Sequence, residues 1–481
     1  MFKNIFRLLG LGLVLLIAIL AFNTFSFRSK QVAVAEIKMP AMPENALEHF
    51  QKAIQFKTIS YNEVEKLDST QFLGFRQFLV DTYPLIHRTL KREIVDKYSL
   101  LYEWKGKNPA LKPIILMAHQ DVVPIEAESA NMWTVEPFAG TIRDGFIWGR
   151  GTTDDKISLI GIMEAVEKLI AKNYQPERTI YLSFGHNEEV LGTGARAIAA
   201  LLKSRNVKAE LVLDEGGIVT TEKVPGLKGK SVALVGTAEK GYISVEMSAI
   251  KNGGHSSMIE AETAIDMITK AVVDLRANPF KAGFAQSTQD FFEYLGPEMP
   301  VPNRVAFANP WLFKPIIVSM LEKSGAGNAM IRTTTAPTII HSGIKDNVVP
   351  TVARAVVNFR ILPGNTTQDV MNHIKTVVKN DSIKLKVVGN MNEPSNISNA
   401  KSLGYQRIME SIKQNFGSKT IVSPYLVIGG TDSRYFGEVS DNILRFLPVT
   451  DPIGFHGIDE RVSLESFQRG ISFYEQLIVG F

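Results

Sequence analysis

Apolar positions along the chain follow two rhythms. Short uninterrupted runs at Lys112–Met117, Thr179–Phe184 and Ala209–Leu213 have the length of buried strands. Ala46–Phe56, Ser158–Lys172 and Gly194–Ser204 instead repeat apolar residues every three or four positions, which predicts helices packed on one face. Strands alternating with helices predict an α/β fold, a mostly parallel sheet flanked by helices. From about Lys240 the order changes to strand Tyr242–Ile250, helix Thr263–Ala277, strands Thr333–Ile344 and Val352–Leu362, helix Gln368–Lys379 and strand Lys384–Val388. That is a βαββαβ module. Residues 278–332 interrupt it as an irregular, partly apolar insertion with Phe291, Phe292, Trp311, Leu312 and Phe313. The first rhythm resumes after Ser395. The expected division is a main domain in two parts, 46–239 and 393–481, with a second domain, 240–392, inserted between them.

The N-terminal pattern differs from both. Lys3 and Arg7 precede an apolar run from Leu8 to Phe22, somewhat short of the ~20 residues a span requires. Continuing to Phe27 makes a marginal transmembrane helix. Segment 1–27 is expected to be an uncleaved signal anchor, with a cleaved signal peptide as the alternative. Residues 28–45, with Met39-Pro40-Ala41-Met42-Pro43, are expected to be a linker. Either reading puts the rest of the chain outside the cytoplasm, in a periplasmic, lumenal or extracellular space, as a membrane-anchored or secreted protein.

Composition narrows the chemistry. The chain has 481 residues, too many for one compact core, and is 45% hydrophobic and 21% charged, as globular proteins are. A net charge of +4 with dispersed basic residues gives no footprint for nucleic acid. With no cysteine, any metal must be held by carboxylates and by some of the eight histidines.

Those residue types gather at predicted strand ends, where α/β sheets bind ligands. Lys112–Met117 runs into His119-Gln120-Asp121, Thr179–Phe184 into His186-Asn187-Glu188-Glu189, and Ala209–Leu213 into Asp214-Glu215. The turn Gly149-Arg150-Gly151 leads through Asp154 into a helix. So many carboxylates at one sheet edge require divalent cations to balance them. Imidazole and carboxylate without sulfur suit catalytic zinc. Asp154, on a tight turn, is placed to bridge two ions, and adjacent Glu188 and Glu189 can divide base and ligand roles.

His119-Gln120-Asp121-Val122-Val123-Pro124, Gly149-Arg150-Gly151 through Asp154, and Glu188-Glu189 resemble the co-catalytic zinc peptidases, the family of aminoacylase, carboxypeptidase S and the secreted N-acyl-amino-acid hydrolases. The resemblance covers about residues 45–481. Ile331–Thr338 and the insertion before it are most similar to the carboxypeptidase S and N-fatty-acyl-amino-acid hydrolase/synthase branch. The resemblance implies two Zn2+ per chain, held by His119 and Glu215 on one side and Glu189 and His456 on the other, with Asp154 bridging. Asp214 is the alternative to Glu215. It implies that Asp121 orients His119 and that Glu188 is the general base. Substrate-binding roles fall to His255 and Asn347 of the inserted lid, to Arg434 as the grip on a substrate carboxylate, and to Arg360. The implied activity is cleavage of the amide bond in N-acyl amino acids or short peptides with a free carboxylate, reversible as condensation of fatty acid and amino acid. The lid often dimerises edge to edge in relatives, and in homodimeric relatives that His comes from the partner subunit; a homodimer through the lid is one expectation here, and the long insertion blocking that edge is the alternative.

Asn187 departs from the Asp common at that position among relatives. His186 reads as a packed residue, and His49, His87, His341 and His373 have no motif context. The aromatic residues of the insertion read as packing, with an acyl-chain pocket as the alternative. The opposing functional class is a membrane-tethered scaffold without catalysis, which predicts lost ligands; every ligand position is filled.

Overall fold

The computed structural model describes residues 2–190 and 192–481. An eight-stranded sheet runs in the order Lys91–Val95, Ser99–Trp104, Ile180–Gly185, Ile114–His119, Leu211–Thr220, Ile443–Thr450, Val232–Glu239, Ile421–Val427. Its centre is parallel, from Ile180–Gly185 across to Ile443–Thr450. The hairpin Lys91–Trp104 adds two antiparallel strands at one edge, so the sheet is mixed. Sequence periodicity missed that hairpin because its turn places Asp96 and Lys97, and no glycine, at positive φ (46° and 71°).

Alternation along the strands builds both faces. Ile114, Leu116 and Ala118 pack with helices Lys156–Ala171 and Leu464–Gly480, through Leu159, Ile162, Ile471 and Leu477. Ile115 and Met117 face the other way, onto Ile198 and Leu202 of helix Thr193–Ser204. Strand Leu211–Thr220 runs further than its apolar run implied and carries Asp214 and Glu215 within it.

The inserted module is a four-stranded antiparallel sheet in the order Thr334–Ser342, Val352–Ile361, Gly241–Ile250, Lys384–Asn392. Helices Ala264–Ala277 and Thr367–Val378 cover one face, burying Ile243, Val245, Val357 and Phe359 against Ile268 and Ile374. Both helices begin with a capping box, Thr263/Asp266 and Thr366/Asp369. Residues 278–332 are not irregular. They form helices Gln286–Leu295, Val301–Ala308, Pro310–Leu321 and Gly325–Ile331. Prolines in the first turns of two of them break the apolar periodicity yet suit a helix start, where no N–H partner is needed.

Phe2–Ser26 is a single helix of 25 residues, long and apolar enough to cross a membrane. The following strap is tied down. Gln31 exchanges hydrogen bonds with the Val422 backbone (2.9 Å each), Glu36 accepts from Ser418, and the Pro40 carbonyl accepts from Gln468 at 2.8 Å.

Candidate metal centre

His119 closes strand Ile114–His119, buried at the carboxyl edge of the sheet. Its Nδ1 lies 3.0 Å from the Asp121 carbonyl and 3.3 Å from Asp121 Oδ1, which aims Nε2 outward. There Nε2 meets Asp154 Oδ1 at 2.9 Å and Glu215 Oε1 at 3.4 Å. The other oxygen of Asp154 lies 2.5 Å from His456 Nε2, which is 3.3 Å from Glu189 Oε2. Asp154 thus stands between two imidazoles. Two overlapping groups, His119/Asp154/Glu189 and His119/Asp155/Glu215, each offer donor atoms within 4.8 Å of one another.

Period-two geometry separates the two carboxylates on strand Leu211–Thr220. Glu215 faces His119, whereas Asp214 turns away and accepts from the Ser433 N–H at 2.8 Å. Asp121 is fully buried and accepts from Ser60 Oγ and from the N–H groups of Glu188 (3.1 Å) and Glu189 (3.2 Å). One carboxylate therefore sets both the His119 ring and the turn bearing the glutamate pair.

Arg150 and Glu460 dock the distant His456 loop. Arg150 Nη1 meets Glu460 at 2.6 Å, and its Nη2 donates to the carbonyls of His456 (3.2 Å) and Gly457 (3.1 Å). Glu460 accepts from the N–H groups of Gly151, Thr153 and Asp154. Arg150 lay inside a motif, but its partner carried no sequence signal. Asp155 was also missed: it follows Asp154 directly and both of its buried oxygens lack a hydrogen-bond partner. Asn187 caps helix Thr193–Ser204, accepting from the Gly194 N–H and donating to Thr193 Oγ1. His186 is packed between Phe72 and Tyr98 and bonds Ser99.

The electrostatics test whether cations fit. Burial, then nearby Asp432, Glu215 and Glu189, push Glu188 well above the usual carboxyl range. Burial and Asp154 raise Glu189 to about 7, and the same causes raise Glu215 strongly. Asp154 and Glu189 lift His456 to about 10. Burial opposes a charge on His119, yet Asp121, Asp154 and Glu215 outweigh it and raise that ring well above neutrality. Protons are thus held wherever a cation would sit, and Glu189 Oε1 has no partner. This donor set fits divalent metal.

A cleft of about 900 Å³ opens over these groups, lined by Asp154, Glu188, Glu189, Glu215, Arg360, Arg434 and His456, with Tyr242, Tyr425 and Phe455 beyond them. Arg434 Nη2 lies 3.4 Å from Glu188 Oε1. Arg360 stands over the Tyr242 ring, 4.8 Å from its centroid. His255 and Asn347 do not line this cleft. They sit together on an exposed two-stranded ladder formed by Gly254–His255 and Val348–Val349, where His255 pairs with Val348 and the Asn347 carbonyl accepts from the Ser256 N–H. Phe291, Phe292 and Phe313 pack among themselves with Phe284 and Phe307, and Trp311 and Leu312 are exposed; none of the five lines the cleft.

A family model described as peptidase family M20/M25/M40 matches residues 115–479, a range that opens at the strand bearing His119 and includes His456. The chain belongs to this family. Its members are metal-dependent hydrolases of amide bonds, and this chain is such an enzyme. Among M20 relatives, a probable carboxypeptidase S-like 2 of Dictyostelium discoideum is 39% identical, over 99% of this chain and 93% of that protein. The human N-fatty-acyl-amino acid synthase/hydrolase PM20D1 is 38% identical, over 89% of this chain and 86% of its own. The M20 metallo-carboxypeptidase Sso-CP2 of Sulfolobus solfataricus shares the fold, with a TM-score of 0.67 at 16% identity over 90% of this chain and 98% of that one.

Proposed function

We propose that this M20 enzyme is a dinuclear zinc hydrolase of N-acyl amino acids or short peptides with a free C-terminal carboxylate, able to run in reverse as a condensation. The observation that carries this reading is Asp154, whose two oxygens reach His119 and His456 on opposite sides. His119, Asp154 and Glu215 would hold one ion, and Asp154, Glu189 and His456 the other. Bound there, the ions supply polarisation of the amide carbonyl and a lowered pKa for the attacking water.

The remaining steps belong to side chains. Glu188 takes the proton of the attacking water and returns it to the departing amine. Burial and the nearby carboxylates raise its affinity for a proton, which suits a group that must accept one. Arg434 leaves Glu188 for the substrate carboxylate and grips it with two parallel hydrogen bonds. Arg360, for which no ion pair is found among the described residues, adds positive charge to that end of the cleft. His255 and Asn347 complete the site from a second copy of the chain, His255 against the developing oxyanion; their exposed ladder, outside their own cleft, supports this. Acyl groups extend along Tyr242, Tyr425 and Phe455. Helix Phe2–Ser26 holds the enzyme on the non-cytoplasmic side of a membrane.

The test is hydrolysis of acetyl- and oleoyl-amino acids and blocked dipeptides, each with its carboxylate free or amidated, with zinc and with a chelator. Zinc-dependent cleavage of the free-carboxylate forms alone is expected, and the preferred acyl group identifies the branch. Two bound zincs without any cleavage would refute the substrate class.

A further inference from the structure

The N-terminal helix does not stand free of the body. None of its residues is fully buried, but its C-terminal half has one half-buried face, Leu16, Leu20, Ala21, Asn23 and Thr24. That half packs on helix Val301–Ala308. Asn23 Nδ2 donates to Asn309 Oδ1 at 2.8 Å, and Asn309 Nδ2 reaches the Leu20 carbonyl and Thr24 Oγ1, each at 3.4 Å. Phe27 then inserts against Gly296 and Phe307, Arg304 donates to its carbonyl, and Lys30 pairs with Glu293. The strap to Pro40 is bonded along the main domain, so contacts with the body continue from this helix through the segment that follows it.

Helix Pro310–Leu321 begins at that junction. Ile317 faces inward and is buried. The opposite side presents Trp311 (58% exposed), Leu312, Pro315, Ile316 (61%) and Met320, with Val301 (70%) beside them. These positions form one stripe on a helix. Lys314, the helix's single charged residue, is drawn over the Phe284 ring. Such a contiguous apolar stripe marks an interaction surface.

We propose that this stripe is a second membrane contact, lying in the interface of the bilayer that helix Phe2–Ser26 enters. The proposal rests on the reading of Phe2–Ser26 as a membrane helix. At 1.5 Å per residue that helix is roughly 37 Å long, against about 30 Å of hydrocarbon. Its last turn therefore emerges at headgroup level, where Asn23 and Asn309 meet. A helix starting there, apolar on its outer side and led by a tryptophan, has the composition of an interfacial helix. A protein partner on the same stripe would have to displace the lipid around residues 16–26. Phospholipid is therefore the occupant, and the enzyme body rests on the surface from which acyl substrates partition.

Trp311 is a built-in probe, because Trp104, Trp133 and Trp148 are buried. The full chain, reconstituted in phosphatidylcholine vesicles, is recovered by flotation and its emission recorded with and without lipid brominated on the upper acyl chain. The signal removed by Trp311→Phe is expected to be blue-shifted. Brominated lipid should reduce it roughly twofold, since an interfacial helix sits about 5–10 Å into the headgroup–acyl boundary. Flotation without quenching overturns the docking face and leaves the anchor standing, whether or not the emission is blue-shifted. Failure to float overturns both.

Discussion

Arg150→Met should both destabilise the fold and empty one metal position. The guanidinium is buried, paired with Glu460 at 2.6 Å, and holds the carbonyls of His456 and Gly457. Removing one partner of a buried pair costs about 3–5 kcal/mol, mostly because the other charge is stranded. Here Glu460 keeps three backbone N–H donors, from Gly151, Thr153 and Asp154, so the lower end applies, about 3 kcal/mol. Glu460→Gln keeps an acceptor for those donors, and leaves Arg150 its two carbonyls, so it should cost about 1–3 kcal/mol. The double variant strands no charge, and its cost should fall short of the sum by about 0.5–3 kcal/mol. Urea midpoints of the chelated proteins measure the cycle, and metal analysis of the loaded proteins measures the second consequence. Without the clamp the His456 loop loses its register with Asp154, and metal content should fall by the ion that Asp154, Glu189 and His456 are proposed to hold. Additive destabilisation, or full metal content in Arg150→Met, would refute the view that this ion pair positions the second metal.

Glu188→Gln should retain metal and lower kcat by about 10²–10⁴, the range of one general base; unchanged turnover would remove Glu188 from that role. Glu215→Ala should lose the ion beside His119, whereas Asp214→Ala should keep it and loosen the Ser433 loop, so metal content of the two variants separates ligand from neighbour. Metal binding should release protons. His456 is raised to about 10 by Asp154 and Glu189 and must be neutral to coordinate, so the loaded protein holds fewer protons than the free one. Affinity therefore rises with pH across the neutral range, by up to about tenfold per unit for each proton released, and is lost as pH falls. Calorimetry in buffers of different ionisation enthalpy would show this, and a binding heat independent of buffer would contradict it.

The main features of the site could be read from sequence because they sit where strands stop. Apolar runs end abruptly at His119 and before His186, and the residues just beyond them are the site. The choice between Asp214 and Glu215 was not legible for the same reason. Their strand does not stop there, and the face each takes depends on alternation inside a strand whose apolar run had already ended. Glu460 was invisible because its role is to accept backbone N–H groups 306 to 309 residues away, a contact that leaves no local pattern. The insertion read as irregular because proline disrupts periodicity at the positions where it favours helix starts. His255 and Asn347 read as substrate-binding residues from their motifs alone, and no local pattern shows that they stand together on an exposed two-stranded ladder outside the cleft.

The centre also explains why the surrounding fold carries buried ion pairs. Asp121, Asp154, Asp155, Glu188, Glu189, Glu215 and Asp432 approach one another, and the positive groups near them, among them His119, His456, Arg434 and the buried Lys156, are fewer than the carboxyls. Asp155 and Asp432 have both carboxyl oxygens unpartnered, and burial with Asp214 raises Asp432 to about 8. Such a cluster opposes folding, because each carboxyl must either stay ionised out of water or take up a proton. The loops bearing it are held from outside the cluster: Arg150–Glu460 ties the His456 loop to the Asp154 turn, and the fully buried Arg445 pairs with Glu239, which accepts from the Thr431 N–H beside Asp432. These two pairs keep the carboxylates converged before any cation arrives. Cations bound there would relieve a repulsion the scaffold itself contains, so affinity for metal and the raised proton affinity of these carboxyls have the same origin.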